Sequence, residues 1–365
     1  MKQALLHYWL TNMRGGEKVL AALAEMLPDS DIFTHAFAEP MRDGSSKEPF
    51  WHGHRVTESF IARLPWGRKK PQAYLPLMPL ASRRLDLSAY DLVISSESGP
   101  IKGIVRRPGQ KHVCYCHTPM RYVWDMYDDY YAAAGLAGRA AMKLWTGYLR
   151  HEDLRSAESV DVFVANSRFV SERIKRIYGR ESIVVNPPVE VDFFRGEYPK
   201  EDYYLIAGEL VSYKRADIAL EACVKMGRRA VVVGNGKLRA RLEQLYAGNP
   251  SVSFLGRIGD EELKNAYGRA RALIFPGVED FGIVPVEAQA AGTPVIAYGM
   301  GGALETVCPG ETGLFFRHQT VESICNAIEE FESREWSAES CREAAMRFGH
   351  NRFKAEMSAV LNLKQ

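Results

Sequence analysis

The segment spanning residues 272–297 constrains the fold more than any other part of the sequence. The apolar run at 272–276 is typical of a strand buried on both faces of a parallel sheet. A loop follows, then an alanine-rich stretch with Pro285 in its first helical turn, where the missing N–H costs nothing. The apolar run at 294–297 completes a strand–helix–strand unit, and such a unit predicts a parallel sheet covered by helices.

The same alternation of strands and helices runs along the whole chain. It predicts an α/β protein made of two doubly wound domains, which suits a length of 365 residues. We expect strands to begin near residues 4, 92, 112, 160, 183, 203, 230, 252, 272 and 294. Two prolines at 187 and 188 break the strand at 183 and mark a boundary. We therefore predict domains at 1–188 and 189–347, with a last helical segment at 348–365 that packs on the first domain.

Two acidic residues, Glu279 and Glu287, stand on either side of the predicted junction between loop and helix. Free N–H groups at a helix start, beside a residue such as Gly282, bind anions. An acid there can hold ribose hydroxyls. The arrangement favours a nucleoside diphosphate that carries another group at its far end. The alternative is a capping acid together with a solvated acid on the helix.

The segment 279–297 resembles the glutamate-x7-glutamate signature of retaining glycosyltransferases of family 4. That family has the GT-B fold, in which two Rossmann-like domains face each other across a cleft. The resemblance implies that Glu279 meets the donor sugar and that Glu287 binds the ribose. It also implies that Phe281, Gly282 and Ile283 lie where the loop amides contact sugar and phosphate.

Residues 208–214 resemble the Gly-Arg-Leu-x-x-x-Lys element of the same family, with Lys214 as the lysine. A flexible cation there can stabilise the charge that grows on a diphosphate leaving group. Glu209 stands where the family has arginine, and Arg215 is a candidate replacement for that missing cation. Arg257 and Ile258 resemble the segment that packs on the base. The alternative for Lys214 and Arg215 is a pair of ordinary surface cations at a helix start.

The first half of the chain carries three further similarities to this family. Paired glycines between a strand and a helix let the backbone approach a phosphate or sugar closely, and Gly15 and Gly16 match the family's glycine loop. His117, at the end of a predicted strand, resembles the histidine that contacts the donor sugar. The resemblance also includes an Asn-Ser element, which either caps a helix or lines the acceptor side: Asn166, Ser167 and Arg168.

The resemblance implies a retaining glycosyltransferase that moves a hexose from a nucleoside diphosphate sugar to a saccharide acceptor, often lipid-linked. Residues 8–18 most resemble mannosyltransferase-like enzymes of bacterial O-antigen and exopolysaccharide assembly, so GDP-mannose is the expected donor. We expect no metal or other cofactor, because residues 29–31 (Asp-Ser-Asp) fit a loop and strand start better than a metal site. The alternatives are a GT-B epimerase or phosphorylase and a non-catalytic nucleotide-sugar binding protein.

The net charge and the composition of one segment restrict the kinds of binding partner that the sequence predicts. A net charge of +2 does not indicate a nucleic-acid binder. Residues 60–71 mix aromatic rings with cations, a combination that suits an anionic membrane surface as well as a solvated loop. We expect a cytoplasmic protein, with or without peripheral attachment to the membrane. We expect other cations of the first domain to add to this surface: Arg83, Arg84, Lys102, Arg106 and Arg107.

Six cysteines are scattered without the Cys-x2-Cys spacing of zinc sites, which fits a reducing compartment. Cys114 and Cys116 are predicted to point to opposite faces of one strand, and hence not to bond to each other. The sequence starts with a strand-like run and shows no signal peptide.

Overall fold

The computed structural model describes residues 1–38 and 50–363. Lys364 and Gln365, the end of the predicted last segment, lie outside the described residues. The chain divides into two compact units. One comprises Met1–Pro188 together with the residues from Phe353 onward, and the other comprises Val189–Arg352.

The first unit contains a seven-stranded parallel sheet with strand order β3-β2-β1-β4-β5-β6-β7. Its strands are β1 (Gln3–His7), β2 (Asp31–Thr34), β3 (Val56–Glu58), β4 (Leu92–Glu97), β5 (Lys111–Cys116), β6 (Val162–Ala165) and β7 (Ser182–Val184). Its helices are α1 (Gly15–Met26), α2 (Met78–Arg83), α3 (Tyr127–Ala133), α4 (Leu136–Ala157) and α5 (Arg168–Tyr178).

The second unit contains a six-stranded parallel sheet with strand order β10-β9-β8-β11-β12-β13. Its strands are β8 (Tyr204–Ala207), β9 (Ala230–Val233), β10 (Val252–Gly256), β11 (Ala272–Phe275), β12 (Val295–Tyr298) and β13 (Gly313–Phe316). The helices from here to the end of the chain are α6 (Val191–Phe194), α7 (Ala216–Lys225), α8 (Arg239–Leu245), α9 (Asp260–Arg269), α10 (Ile283–Ala290), α11 (Ala303–Thr306), α12 (Val321–Glu332), α13 (Ala338–Met346) and α14 (His350–Leu361).

Both sheets are buried on both faces, which explains why their strands read as continuous apolar runs. In β1, Leu5 packs with α1 on one face, while Ala4 and Leu6 pack on the other. In β11, Leu273 and Ile274 likewise belong to clusters on opposite faces. The predicted α/β architecture of two doubly wound parallel sheets is confirmed.

Strands β3 and β13, at the edges of the two sheets, were missed by the sequence analysis. Val56–Glu58 has only three residues and is nowhere fully buried, so it carries no periodic signal. The apolar runs predict no strand after 294–297, yet Gly313–Phe316 pairs with β12 and extends the sheet. Edge strands pair on one side only, and this reduces the local signal that sequence can carry.

The helix α14 packs its apolar stripe in the first unit. Phe353, Met357 and Leu361 are almost completely buried in the cluster that contains Leu5 and Leu23. The rings of Phe353 and Tyr115 meet edge to face, with centroids 5.9 Å apart. Spacing of four residues puts these side chains on one face of the helix, so α14 completes one cover of the first sheet.

The expectation for Cys114 and Cys116 was wrong. Residues two apart on a strand share a face, and both side chains pack in the same buried cluster. The thiols are nevertheless free.

Candidate active site

Lys214 and Glu279 meet in the second unit, on loops that follow neighbouring strands. Lys214 ends a short helical turn after β8, and Glu279 lies between β11 and α10. The Lys214 Nζ lies 2.7 Å from the Glu279 Oε1, and both side chains are about one-fifth exposed (22% and 20%). In this sheet the strand order reverses between β8 and β11, and ligands of doubly wound sheets bind at such a reversal.

Close backbone approach fixes this pair. A Cβ added to Gly277 would lie 2.9 Å from the Cα of Lys214. Only glycine allows the two loops to come so near. A cavity beside them is lined by residues of both loops, among them Gly208, Glu209, Lys214, Gly277 and Glu279. Glu209 thus adds a carboxylate to the lining of a cavity that already holds Glu279.

Arg215 follows Lys214 with left-handed backbone, at a φ of 53°. Its guanidinium faces Asp217, with Nε 3.2 Å from one carboxylate oxygen and Nη2 3.4 Å from the other. Both side chains are partly exposed, so the ion pair is weak. The cation therefore sits at the start of α7 with a partner that a stronger anion can displace.

Glu287 lies inside α10 and is nearly buried, with 6% exposure. The Tyr267 hydroxyl donates a hydrogen bond of 3.0 Å to its Oε2. Burial first, and then the Glu287 carboxylate, raise the pKa of Tyr267 above its ordinary value. Tyr267 is not predicted from the sequence, because no local pattern links it to Glu287, twenty positions away.

The loop between Glu279 and Glu287 is held by a hydrogen bond from the loop that joins β12 to α11. The Gly302 N–H donates to the Glu279 carbonyl at 2.8 Å. Gly282, at a φ of 92°, precedes the first residue of α10, Ile283. Phe281 is buried, and its ring packs on that of Phe348. The apolar side chain thus anchors the loop that leads into the start of α10.

Arg257 and Ile258 follow β10, on the opposite side of β8 from the acidic loop. Arg257 is exposed, whereas Ile258 is partly buried against the core of the second unit. They are not among the residues that line the cavity beside Lys214 and Glu279.

His117 and the paired glycines come together in the first unit. Gly15 and Gly16 are the first residues of α1, and His117 follows β5. A Cβ added to Gly16 would lie 2.9 Å from the Tyr8 hydroxyl and 3.4 Å from the His117 Nε2. Because Gly16 has no side chain, α1 can begin close to His117.

The surroundings of His117 keep its imidazole neutral. Desolvation, with a smaller contribution from neighbouring His7, lowers its pKa from 6.5 to about 3. The Ser96 hydroxyl lies 2.8 Å from its Nε2. Burial and the nearby Glu17 carboxylate, in that order, raise the pKa of the Tyr8 phenol. A neutral imidazole can accept one hydrogen bond and donate another.

The Asn-Ser element has a structural role in this fold. The Ser167 Oγ accepts a hydrogen bond of 3.1 Å from the Val170 N–H, which makes it the N-cap of α5. Ser167 also donates to the Asn166 Oδ1 at 3.1 Å. Arg168 is the first helical residue and is exposed. Of the two predicted roles, helix capping is the one that the hydrogen bonds show.

The basic surface expected in the first unit is smaller than the sequence suggests. Lys102 is completely buried, and its Nζ lies 2.7 Å from Glu97 and 2.6 Å from Asp153. Including it among surface cations was wrong. The other cations have carboxylate partners in three of four cases: Arg83 with Glu152, Arg106 with Asp161 and Arg107 with Asp91.

Across residues 1–38 and 50–363, no three or more His, Cys, Asp or Glu residues are grouped as a metal site would require. No helix in the same residues is long and apolar enough to cross a membrane.

These features define a class of protein. Each unit is a doubly wound parallel sheet, and the second has the strand order 3-2-1-4-5-6 of dinucleotide-binding folds. At its reversal point stand a lysine and a helix start, which suit a phosphate group, beside a glutamate, which can accept hydrogen bonds from hydroxyl groups. The class is that of α/β enzymes that use nucleotides.

Comparison with known proteins gives the family. The profile of glycosyl transferases group 1 matches residues 190–348, and that of glycosyltransferase family 4 matches residues 13–193. The chain belongs to these group 1, family 4 glycosyltransferases, a retaining family. It transfers a sugar from a nucleotide sugar, which confirms the prediction of a glycosyltransferase.

Curated relatives are distant. A D-inositol 3-phosphate glycosyltransferase of Streptomyces avermitilis is 24% identical over 320 residues, which cover 68% of each chain. An uncharacterised glycosyltransferase of Methanocaldococcus jannaschii is 32% identical over 142 residues, or 37% of this chain and 36% of the relative. The matched stretch thus spans little more than a third of the second protein.

Solved structures show the same GT-B fold over the full length. Anabaena HepE, solved in complex with UDP and glucose, has a TM-score of 0.71 and 17% identity, and each chain is covered completely. Sucrose-phosphate synthase from Thermosynechococcus elongatus has a TM-score of 0.74 and 18% identity, with 99% of this chain and 98% of that chain covered.

Proposed function

We propose that the chain is a metal-independent, retaining hexosyltransferase that uses a nucleoside diphosphate hexose. The observation that carries this proposal is the contact between Lys214 and Glu279, 2.7 Å apart at the reversal point of the second sheet. This contact places a cation that can bind a diphosphate beside a carboxylate that can bind a sugar hydroxyl. The helix start after Gly282 adds N–H groups for the same anion.

The proposed chemistry follows from the charges that develop in the reaction. Breaking the bond between sugar and diphosphate creates an oxocarbenium-like centre and an anionic leaving group. Lys214 stabilises the leaving diphosphate, and this lowers the barrier because the new charge is met by a preorganised cation. Glu279 holds the sugar, and Glu287 holds the ribose. The leaving phosphate takes the proton of the acceptor hydroxyl on the same face of the sugar, so the anomeric configuration is retained.

GDP-mannose is the proposed donor. Its support is the similarity of residues 8–18 to mannosyltransferase-like enzymes. UDP-glucose is the competing donor, because the structural neighbour HepE was solved with it. The two differ in base and in the configuration of the sugar at C2, so a direct comparison separates them.

The proposal is tested with a panel of nucleotide sugars. Thermal shift of the whole chain should be largest for GDP-mannose, and mass spectrometry should detect slow hydrolysis of the same donor. Lys214→Met should abolish the shift, whereas Lys225→Met, an exposed lysine on α7, should leave it intact. Turnover of a donor to its epimer would identify an epimerase instead. Binding without hydrolysis or transfer to any acceptor would identify a binding protein.

The proposed acceptor is a lipid-linked saccharide of O-antigen or exopolysaccharide synthesis, reached at an anionic membrane surface. The support is the segment 60–71, where Trp66 is 70% exposed and the Lys69 ammonium lies over its ring. Arg68 contributes less than expected, since Glu58 pairs with it. Flotation with anionic vesicles should retain the chain, and Lys69→Gln with Lys70→Gln should release it. Equal flotation of the wild type and this double variant would remove the membrane from the proposal.

A further inference from the structure

A chain of four buried or partly buried side chains connects α1 to His117. The Ser96 Oγ lies 2.8 Å from the His117 Nε2 and 3.3 Å from the His7 Nδ1. The other ring nitrogen of His7, Nε2, lies 3.6 Å from the Glu17 Oε1. His7 and Ser96 are completely buried, and Glu17 is 3% exposed.

Rigid elements hold these groups in place. His7 and Ser96 are directly opposite each other on the neighbouring strands β1 and β4. Ser96 is in turn opposite Tyr115 on β5, two residues before His117. Glu17 lies in the first turn of α1, where the Arg14 N–H donates to its Oε2 at 3.0 Å. Sites built on strands and helices keep their geometry better than sites on loops.

The number of protons that these four side chains carry restricts the direction of the hydrogen bonds between them. Ser96 has one hydroxyl proton and two ring nitrogens beside it, so it donates to one and accepts from the other. The Glu17 carboxylate favours a proton on the facing His7 nitrogen, Nε2. With its ring proton on Nε2, His7 presents the lone pair of Nδ1 and accepts from Ser96. Ser96 accepts in turn from the His117 Nε2–H.

We propose that Glu17, His7 and Ser96 form a relay that fixes the tautomer of His117, with its proton on Nε2. The lone pair on Nδ1 is then free to accept a hydrogen bond from a hydroxyl group of the sugar substrate. This inference rests on the proposed function and on a contact between His117 and the donor sugar, which the resemblance of His117 to the family histidine implies. The three relay residues are positioning residues, because they act on the substrate through His117.

The tautomer is measured by nitrogen-15 NMR of the full chain with labelled histidine, at neutral pH. His117→Gln assigns the His117 signals. The expected wild-type result is a single tautomer protonated on Nε2, and Ser96→Ala should convert it to a mixture. A His117 that is protonated on Nδ1, or one that is unaffected by Ser96→Ala, would overturn the relay.

Ser95 provides a matched control. It is the neighbour of Ser96 on β4, is equally buried, and also bonds to a histidine, with its Oγ 2.9 Å from the His112 Nε2. Ser95→Ala removes the same hydroxyl on the other face of the sheet. It should leave the His117 tautomer unchanged.

Steady-state kinetics give the second readout. Ser96→Ala and Glu17→Gln should each lower kcat about 10-fold to 100-fold, with the donor KM changed less than about 3-fold, since the lost group orients the hydrogen-bond acceptor of His117 and does not itself bind substrate. Ser96→Thr keeps the hydroxyl and should restore most of the rate. Equal effects of Ser96→Ala and Ser95→Ala would contradict the inference. A wild-type chain without activity on any donor would refute the proposed function instead, and the NMR result would still decide the relay.

Discussion

At the scale of single residues, the candidate site depends on charges held close together without full burial. Lys214 and Glu279 form an ion pair that is about one-fifth exposed on each side. In a pair that is mostly buried, the cost of removing both charges from water offsets much of their attraction, so the pair contributes little to stability. Instead, the pair holds both charges in place for a ligand before the ligand binds. Substitutions here should therefore change catalysis more than folding.

Glu279→Gln is the first prediction at this scale. The variant keeps the shape of the side chain and removes the charge that faces the sugar. We expect kcat to fall by about 100-fold or more, while the Kd for the nucleoside diphosphate changes less than about 3-fold. Isothermal titration and initial rates measure the two quantities. A near-normal kcat would remove Glu279 from the mechanism.

Arg215 provides the second prediction. A non-glycine residue with left-handed backbone stores about 1–2 kcal/mol of strain. Arg215→Gly should therefore raise the free energy of unfolding by about 1 kcal/mol, while the donor KM rises several-fold if the arginine replaces the cation lost at Glu209. Trp66→Gly, at a position of the first unit that also has left-handed backbone, is the control. It should gain stability without a change in KM, and a shared KM effect would argue against a donor contact by Arg215.

At the scale of elements, α14 contributes buried side chains to the core of the first unit. Its buried side chains cover one face of the sheet at the far end of the chain from β1. The helix follows the last residues of the second unit directly. The stability of the first unit should therefore depend on residues that lie far from β1 in the sequence.

Phe353→Ala tests this dependence. Removing a fully buried phenylalanine costs about 3–5 kcal/mol, so the Tm should fall by several degrees. Asn351→Ala changes an exposed residue of the same helix and should have little effect. Differential scanning calorimetry measures both. Similar Tm values for the two variants would show that α14 does not contribute to the core.

At the scale of the whole molecule, the first unit buries several ionisable groups. Burial lowers the pKa of His35 and of His112 from 6.5 to about 4. In the buried triad, Lys102 stands between Glu97 and Asp153 with no exposure. Buried groups of this kind link folding to proton binding.

The two histidines predict the pH dependence of stability. Below pH 6.5 the unfolded chain binds protons that the folded chain does not accept until about pH 4. Stability should therefore be fully present above pH 6.5 and fall as the pH drops from 6.5 towards 4. Urea unfolding at a series of pH values measures this slope. The slope should persist in 1 M NaCl, because desolvation is not screened by salt, whereas repulsion between surface charges is. A flat profile between pH 6.5 and pH 5 would contradict the prediction.

Local sequence determined much of this protein. The apolar runs predicted nearly all strands of both sheets, because strands buried on both faces carry a continuous signal. The α/β class followed from the alternation of elements, whereas the GT-B fold and the glycosyltransferase activity were implied by the resemblance of the segment around Glu279 and Glu287 to a known family. Lys214 was found because the turn after β8 has a recognisable spacing.

Only the tertiary structure decided the contacts between distant positions. Ser96 meets His7 and His117 because β1, β4 and β5 are neighbours in the sheet, and strand order is not written in any local pattern. The partner of Glu287, Tyr267, depends in the same way on how α9 and α10 pack. Lys102 looks like a surface cation in the sequence, yet two acids from other segments bury it. Sequence fixes the period and polarity of each element, whereas register and packing select which side chains meet.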